Sequence, residues 1–164
     1  VWPIALYGFL GREFRWVMKE ELRRVPFLGW ACAAIGHIFV DRRSSARAIA
    51  SLEEAKPRLT GGVSVVFFPE GTRSPDGRLL PFKKGGFVMA RQLALPILPM
   101  TISGSMRVLP KGCHIPRPGR IRVRIHPPLD PAAWSSDEEL IATVRETIAS
   151  GLDESERQGR VGRD

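Results

Sequence analysis

The spacing of apolar and polar positions changes several times along the chain, and each change marks an element. Phe14-Arg-Trp-Val-Met18 alternates and is rich in β-formers, which predicts a strand. Leu22, Val25, Leu28 and Cys32 recur at helical spacing and predict a helix over 20–35, broken or kinked at Pro26. Gly36 resets the chain, and 37–40 reads as a short buried strand. Residues 44–59 predict a helix capped by Ser44 or Ser45, with Ala48, Ile49, Leu52 and Ala55 on one face. The apolar, β-branched run 63–68 predicts a strand covered on both faces.

A polar loop occupies 69–84, then a helix 85–95. Residues 97–102 predict a strand in which Pro99 marks an edge, a bulge or the strand's start. After a loop-rich stretch over 103–119, Ile121, Val123 and Ile125 alternate with Arg120, Arg122 and Arg124, which predicts one buried and one cationic strand face. Ser135-x-x-Glu138 reads as a capping box for a last helix reaching about Leu152. Val1 to Leu10 is mostly apolar and reads as the end of a helix. Strands alternating with helices predict an α/β fold with a largely parallel central sheet flanked by helices. Residues 1–152 form one domain in this reading, and 153–164 a polar, disordered tail.

Composition narrows the picture only partly. The 164 residues are 43% hydrophobic and 26% charged, as expected for one globular domain. The net charge of +8 favours phosphates, nucleic acid or anionic lipid surfaces as partners without choosing among them. No nucleic-acid-binding signature is present, so nucleic acid is not an expected partner. Cys32 and Cys113 form no CxxC pair and read as free thiols. His37, His114 and His126 have no metal-ligand spacing, and no metal or tightly bound cofactor is expected. No apolar run reaches the roughly 20 residues that span a bilayer.

In a parallel α/β sheet, ligands sit at the carboxyl ends of the strands. Two polar segments leave strands. One is Gly36-His-Ile-Phe-Val-Asp-Arg42; the other is Phe68-Pro-Glu-Gly-Thr-Arg-Ser74. In the second, Gly71 lets the backbone approach a ligand closely, amides near Gly71 and Thr72 can face an anion, and Arg73 can grip a phosphate bidentately. A carboxylate beside a phosphate is repulsive, so Glu70 orients an Arg or accepts from a substrate hydroxyl. The bland alternative is a turn, which Ser74-Pro75-Asp76-Gly77 already resembles.

These two segments resemble signature motifs of the 1-acyl-sn-glycerol-3-phosphate (lysophosphatidic acid) acyltransferase family. Leu95-Pro-Ile-Leu-Pro-Met100 and Pro81-Phe-Lys-Lys-Gly-Gly-Phe87 resemble two further family segments, in the family's order, over residues 1–128. The resemblance implies that Arg42 and Arg73 bind the substrate phosphate, that Glu70, Gly71 and Thr72 shape the pocket, and that Lys83 adds a cation. Pro96 and Pro99 would shape their strand. It also implies transfer of a fatty acyl group from acyl-CoA or acyl-carrier protein to the 2-hydroxyl of lysophosphatidate, giving phosphatidate.

In the family, an NHxxxxD motif supplies a general-base His and its orienting Asp. Here the residues five positions after the three histidines are Arg42, Gly119 and Pro131, so no such motif occurs. Val1-Trp-Pro-Ile4 resembles the stretch directly after the motif's Asp, so the expectation is an N-terminally truncated chain without activity. The enzyme is expected at the cytoplasmic face of a membrane, peripheral or anchored by the missing N-terminal segment. Arg12, Arg15, Lys19, Arg23 and Arg24 interleave with Phe14, Trp16 and Leu22 and form either a surface for an anionic membrane or a solvated face. Asp41 reads as a structural ion-pair partner of Arg42 or Arg43. Two alternatives stay open: acylation of another lyso-lipid, or a non-catalytic module that binds phosphate headgroups or anionic membranes.

Overall fold

The computed structural model describes residues 13–41, 44–55, 57, 63–110, 112–113 and 115–157. They fall into two compact units, divided between Phe67 and Phe68.

The first unit is built on a parallel sheet with the order β2-β1-β3. β1 is Phe14–Lys19, β2 Ile38–Val40 and β3 Ser64–Val66. The register pairs Val17 with Ile38 and Phe14 with Ser64. β1 is the middle strand, so both its edges are paired, and both its faces are covered as well: Phe14 and Trp16 point one way, Val17 the other, and all three are buried. Phe14 and Trp16 meet edge to face at 5.4 Å. Their burial removes them from any membrane-facing surface, contrary to the interleaved reading of this strand. β3 also departs from expectation: it is only three residues long, and Ser64 is exposed.

The helix expected over 20–35 is two pieces. A 3₁₀ turn, Glu20–Arg24, gives way at Pro26 to helix α1, Leu28–Ala34. Phe27 between them has φ 62°, rare for a residue with a side chain. Position 29 is a glycine for want of room: a Cβ there would overlap the Arg23 carbonyl. Phe27 and Trp30 are 80% and 73% exposed, with their rings 6.3 Å apart. Helix α2, Ser45–Ala55, starts as expected, with Ser44 Oγ accepting from Arg47 N at 3.3 Å. Its proposed apolar side chains lie outside the described residues, as do Val1 to Leu10. Asp41 pairs with Arg47 at 3.4 Å, one turn into α2. Arg42 and Arg43, its expected partners, lie outside the described residues.

The second unit holds helix α3, Gly85–Gln92, and an antiparallel pair of strands. These are β4, Met100–Ser103, and β5, Arg122–Ile125. Among the described residues the strands form the three-stranded parallel sheet and this antiparallel pair, which bears out the α/β fold with a largely parallel sheet. Pro99 marks the start of β4, and its carbonyl accepts from His126 N at 3.0 Å. The expected buried face of β5 is incomplete, since Ile125 is 54% exposed.

α3 ends in a Schellman arrangement. Leu95 N donates to Ala90 O at 2.9 Å and Ala94 N to Arg91 O at 3.1 Å, with Ala94 at φ 49°. A short helix α4, Ser105–Val108, interrupts the expected loop. Helix α5, Asp137–Ser150, packs Leu140 and Val144 with Phe87, surrounded by Phe82, Ile97, Leu129 and Trp134. Its cap is one residue later than the sequence motif: Ser136 Oγ accepts from Glu139 N at 3.2 Å, while Glu139 Oε2 accepts from Ser135. Of the tail expected to be disordered, residues 153–157 are described and structured, and 158–164 lie outside the described residues. Helix α6, Glu154–Arg157, buries Glu156, whose Oε1 accepts from Gly104 N at 2.8 Å. Cys32 is buried and Cys113 exposed, both free.

Candidate functional site

The segment after β3 folds back on itself through its own backbone. Gly71 N donates to Phe68 O at 3.1 Å and Lys83 N to Pro69 O at 2.8 Å, which joins the two ends of the 69–83 loop. At its tip, Ser74 Oγ accepts from Gly77 N at 3.0 Å. Asp76 Oδ1 accepts from Arg78 N at 3.1 Å and from the Ser74 hydroxyl at 2.9 Å. These bonds hold the Asp76 carboxyl below the usual carboxylate range. The turn read in Ser74-Pro75-Asp76-Gly77 is therefore real, and it closes the loop that carries Arg73.

Glu70 has a structural task. Its Oε2 accepts from Leu80 N at 2.8 Å across the loop. Burial pushes the Glu70 carboxyl above its ordinary value, against the opposing pull of the Leu80 amide and Arg145. Arg145 on α5 also donates to Leu79 O at 3.2 Å. The helix thus clamps the same strand of loop that Glu70 holds. Nothing in the local sequence pointed to Arg145, which lies more than sixty residues downstream.

Gly71 has φ +68°, and its α-carbon faces the Lys83 side chain: a Cβ would meet Cε at 3.1 Å and Nζ at 3.2 Å. The structure therefore brings Lys83 beside Gly71, as the candidate site requires. The Gly71 amide, read as a possible anion donor, is already bonded to Phe68 O. Thr72 and Arg73 are exposed and make no hydrogen bond or ion pair among the described residues. The Lys83 ammonium likewise has no carboxylate partner among them. The loop's two carboxylates are engaged elsewhere, Glu70 with Leu80 N and Asp76 with Ser74 and Arg78, so neither pairs with Arg73 or Lys83. Arg42 lies outside the described residues. Among the described residues no cluster of His, Cys, Asp and Glu could hold a metal.

Comparison with known proteins bears on the same segment. The acyltransferase family model matches residues 2–103. A chloroplastic 1-acyl-sn-glycerol-3-phosphate acyltransferase of Brassica napus is 37% identical over 145 residues, covering 87% of this chain and 41% of the relative. The alpha form of the same enzyme from Mus musculus is 36% identical, covering 90% of this chain and 53% of the relative. The crystal structure of the 1-acyl-sn-glycerophosphate acyltransferase PlsC of Thermotoga maritima superposes with a TM-score of 0.72 at 35% identity, over 97% of this chain and 61% of that one. The chain spans about two fifths to three fifths of the length of these relatives. The match runs through both strand-exit segments, and the fold agrees at the level of the solved structure: the chain belongs to the acyltransferase family that includes the 1-acyl-sn-glycerol-3-phosphate acyltransferases.

Proposed function

We propose that this chain supplies the acceptor-binding part of an enzyme that moves a fatty acyl group from a thioester, acyl-CoA or acyl-carrier protein, to the 2-hydroxyl of lysophosphatidate. The carrying observation is the loop with Arg73 and with Lys83 beside Gly71, neither cation paired with a carboxylate among the described residues. In this reading the guanidinium of Arg73 takes two phosphate oxygens and Lys83 adds a point charge. Glu70 and Arg145 hold the loop in shape. Arg42 is proposed as a further phosphate ligand and Thr72 as a hydroxyl donor. In this reading the His of an NHxxxxD motif, a motif absent from this sequence, takes the proton of the acceptor hydroxyl as its oxygen attacks the thioester carbonyl; the C–S bond then breaks and the departing thiolate takes that proton back, leaving as the free thiol.

The binding part is tested on the 164-residue chain itself. Lysophosphatidate is titrated against lysophosphatidylcholine, with Arg73→Ala and Lys83→Ala alongside. Losing one charge-assisted contact is expected to weaken lysophosphatidate binding roughly ten- to a hundredfold. Equal affinity for both lipids, unchanged in Arg73→Ala, would sink the reading.

The substrate places the enzyme at a membrane surface, and no described helix is long and apolar enough to cross one. We propose that the exposed pair Phe27 and Trp30, next to Arg23 and Arg24, inserts at that surface. The unfavourable φ of Phe27 supports this, because strain at an exposed aromatic needs a compensating use. Vesicle co-sedimentation with Phe27→Ser and Trp30→Ser checks it; unchanged partitioning would refute it.

A further inference from the structure

Away from the 68–84 loop, the second unit carries a groove of about 380 Å³, lined by Arg107, Pro118, Gly119, Arg120, Arg122 and Asp153. Its size lies within the range of small-molecule sites, roughly 300–1,000 Å³. The guanidiniums come from three places: Arg107 from α4, Arg120 from the connection after it, and Arg122 from β5. Such a convergence needs closely packed backbone beneath it, and the glycines provide that. Gly104 has φ +79°, and a Cβ there would overlap the carbonyl oxygen of Arg120. A Cβ on Gly119 would come 2.9 Å from Val108 Cγ2. Behind Gly104, the buried Glu156 accepts its amide, and Arg117 N donates to Val108 O at 2.8 Å.

The charges do not balance. Asp153 is the one carboxylate lining the groove, and it serves two arginines, Arg122 at 2.5 Å and Arg107 at 3.6 Å. Arg120 makes no ion pair among the described residues. Both paired arginines keep more than half of their side-chain surface in solvent, 57% and 56%. Their remaining N–H groups are therefore accessible.

We propose that this groove binds a phosphate group, a phosphomonoester or a diphosphate. Arg120 is its principal ligand. Asp153 holds Arg107 and Arg122 in position and competes with the anion for them. The concave form, lined by three arginines, suits a small terminal group better than a flat acidic protein surface. Two sources share this chemistry: the phosphorylated nucleotide end of a coenzyme A thioester, and the headgroup of an anionic lipid. The site does not depend on the acyl-transfer reading.

The test uses the 164-residue chain at low ionic strength. Adenosine 3′,5′-bisphosphate and inorganic pyrophosphate are titrated in one arm. Phosphatidylglycerol vesicles, against phosphatidylcholine vesicles, form the other. Arg120→Gln is expected to weaken binding about tenfold, and Asp153→Asn to strengthen it. A residue with only a structural role would not give that opposite sign. Since Arg73 and Lys83 also attract anions, both substitutions are repeated with Arg73→Ala, where the shifts should persist even after lysophosphatidate binding is lost. Opposite shifts in the soluble arm assign the groove to a nucleotide-type phosphate. Opposite shifts with phosphatidylglycerol alone assign it to a lipid headgroup. If no probe binds, or Arg120→Gln and Asp153→Asn fail to shift binding in opposite directions in either arm, the proposal is overturned. Unchanged melting of Arg120→Gln, whose side chain is exposed, guards against reading misfolding as lost binding.

Discussion

The ammonium of Lys83 stands where a side chain on Gly71 would have to go: a Cβ there would lie 3.2 Å from Lys83 Nζ. Gly71→Ala therefore carries two costs. The left-handed φ of +68° disfavours any L side chain by about 1–2 kcal/mol, and the new methyl pushes Lys83 aside. The variant is expected to lower the urea midpoint with an unchanged m-value, and to weaken lysophosphatidate binding. Lys83→Ala should weaken binding alone, with stability intact, because the Lys83 side chain is exposed.

Glu70 gives a pH signature. Its folded pKa is raised by burial, so the folded state holds the proton to higher pH than the unfolded chain. Its contribution to stability is complete below the unfolded pKa and declines as pH rises through the folded one. Glu70→Gln keeps an acceptor for Leu80 N and removes that decline. Relative to the parent protein, its stability is expected to improve as pH rises from about 4 to about 7. Glu70→Ala loses the acceptor and should cost about 1 kcal/mol. Urea unfolding across pH separates the two.

His126 works in the opposite direction. Thr101 Oγ1 donates its single hydrogen to Ile148 O at 2.6 Å, so at 2.8 Å it must accept from His126 Nε2–H. Burial, then Arg124, lowers the His126 pKa, and His37 is lowered likewise by burial and Arg15. Both must be protonated against these forces, so stability is expected to fall as pH drops from about 7 to about 5. His126→Gln keeps a donor for Thr101 and should flatten part of that slope.

Ala94 closes α3 in a conformation that suits glycine, φ 49°. Ala94→Gly is expected to raise stability by up to about 1 kcal/mol, since the relief of the left-handed strain exceeds the entropy of the extra freedom. A midpoint that moves the other way would show that the Ala94 methyl makes compensating contacts.

Much of this was legible in the chain because the decisive signals were local. The alternation of Phe14, Trp16 and Met18, the break at Pro26 and the start of β4 after Pro99 each arise from chemistry within a few residues. The 69–83 loop was legible through its motif and through Gly71. Long-range partners were not. Arg145 reaches Leu79, and Thr101 reaches Ile148, across separations that no local pattern encodes. The end of α3 was placed too late because its left-handed residue is Ala94 and not the glycine that usually announces it. In the sequence, Phe14 and Trp16 stay open between a membrane surface and a solvated face, because alternation alone does not reveal what packs over a strand; both are buried.

The residues after Leu152 carry a consequence for how this domain can be trimmed. They read as a polar appendage, yet Glu156 is 5% exposed and its carboxylate holds the Gly104 amide under the arginine groove. Shortening the chain to Leu152 would leave that amide without its acceptor and strip Arg107 and Arg122 of Asp153 in one cut. A seemingly dispensable stretch thus props this end of the unit, and cutting it before Arg157 is expected to lower stability.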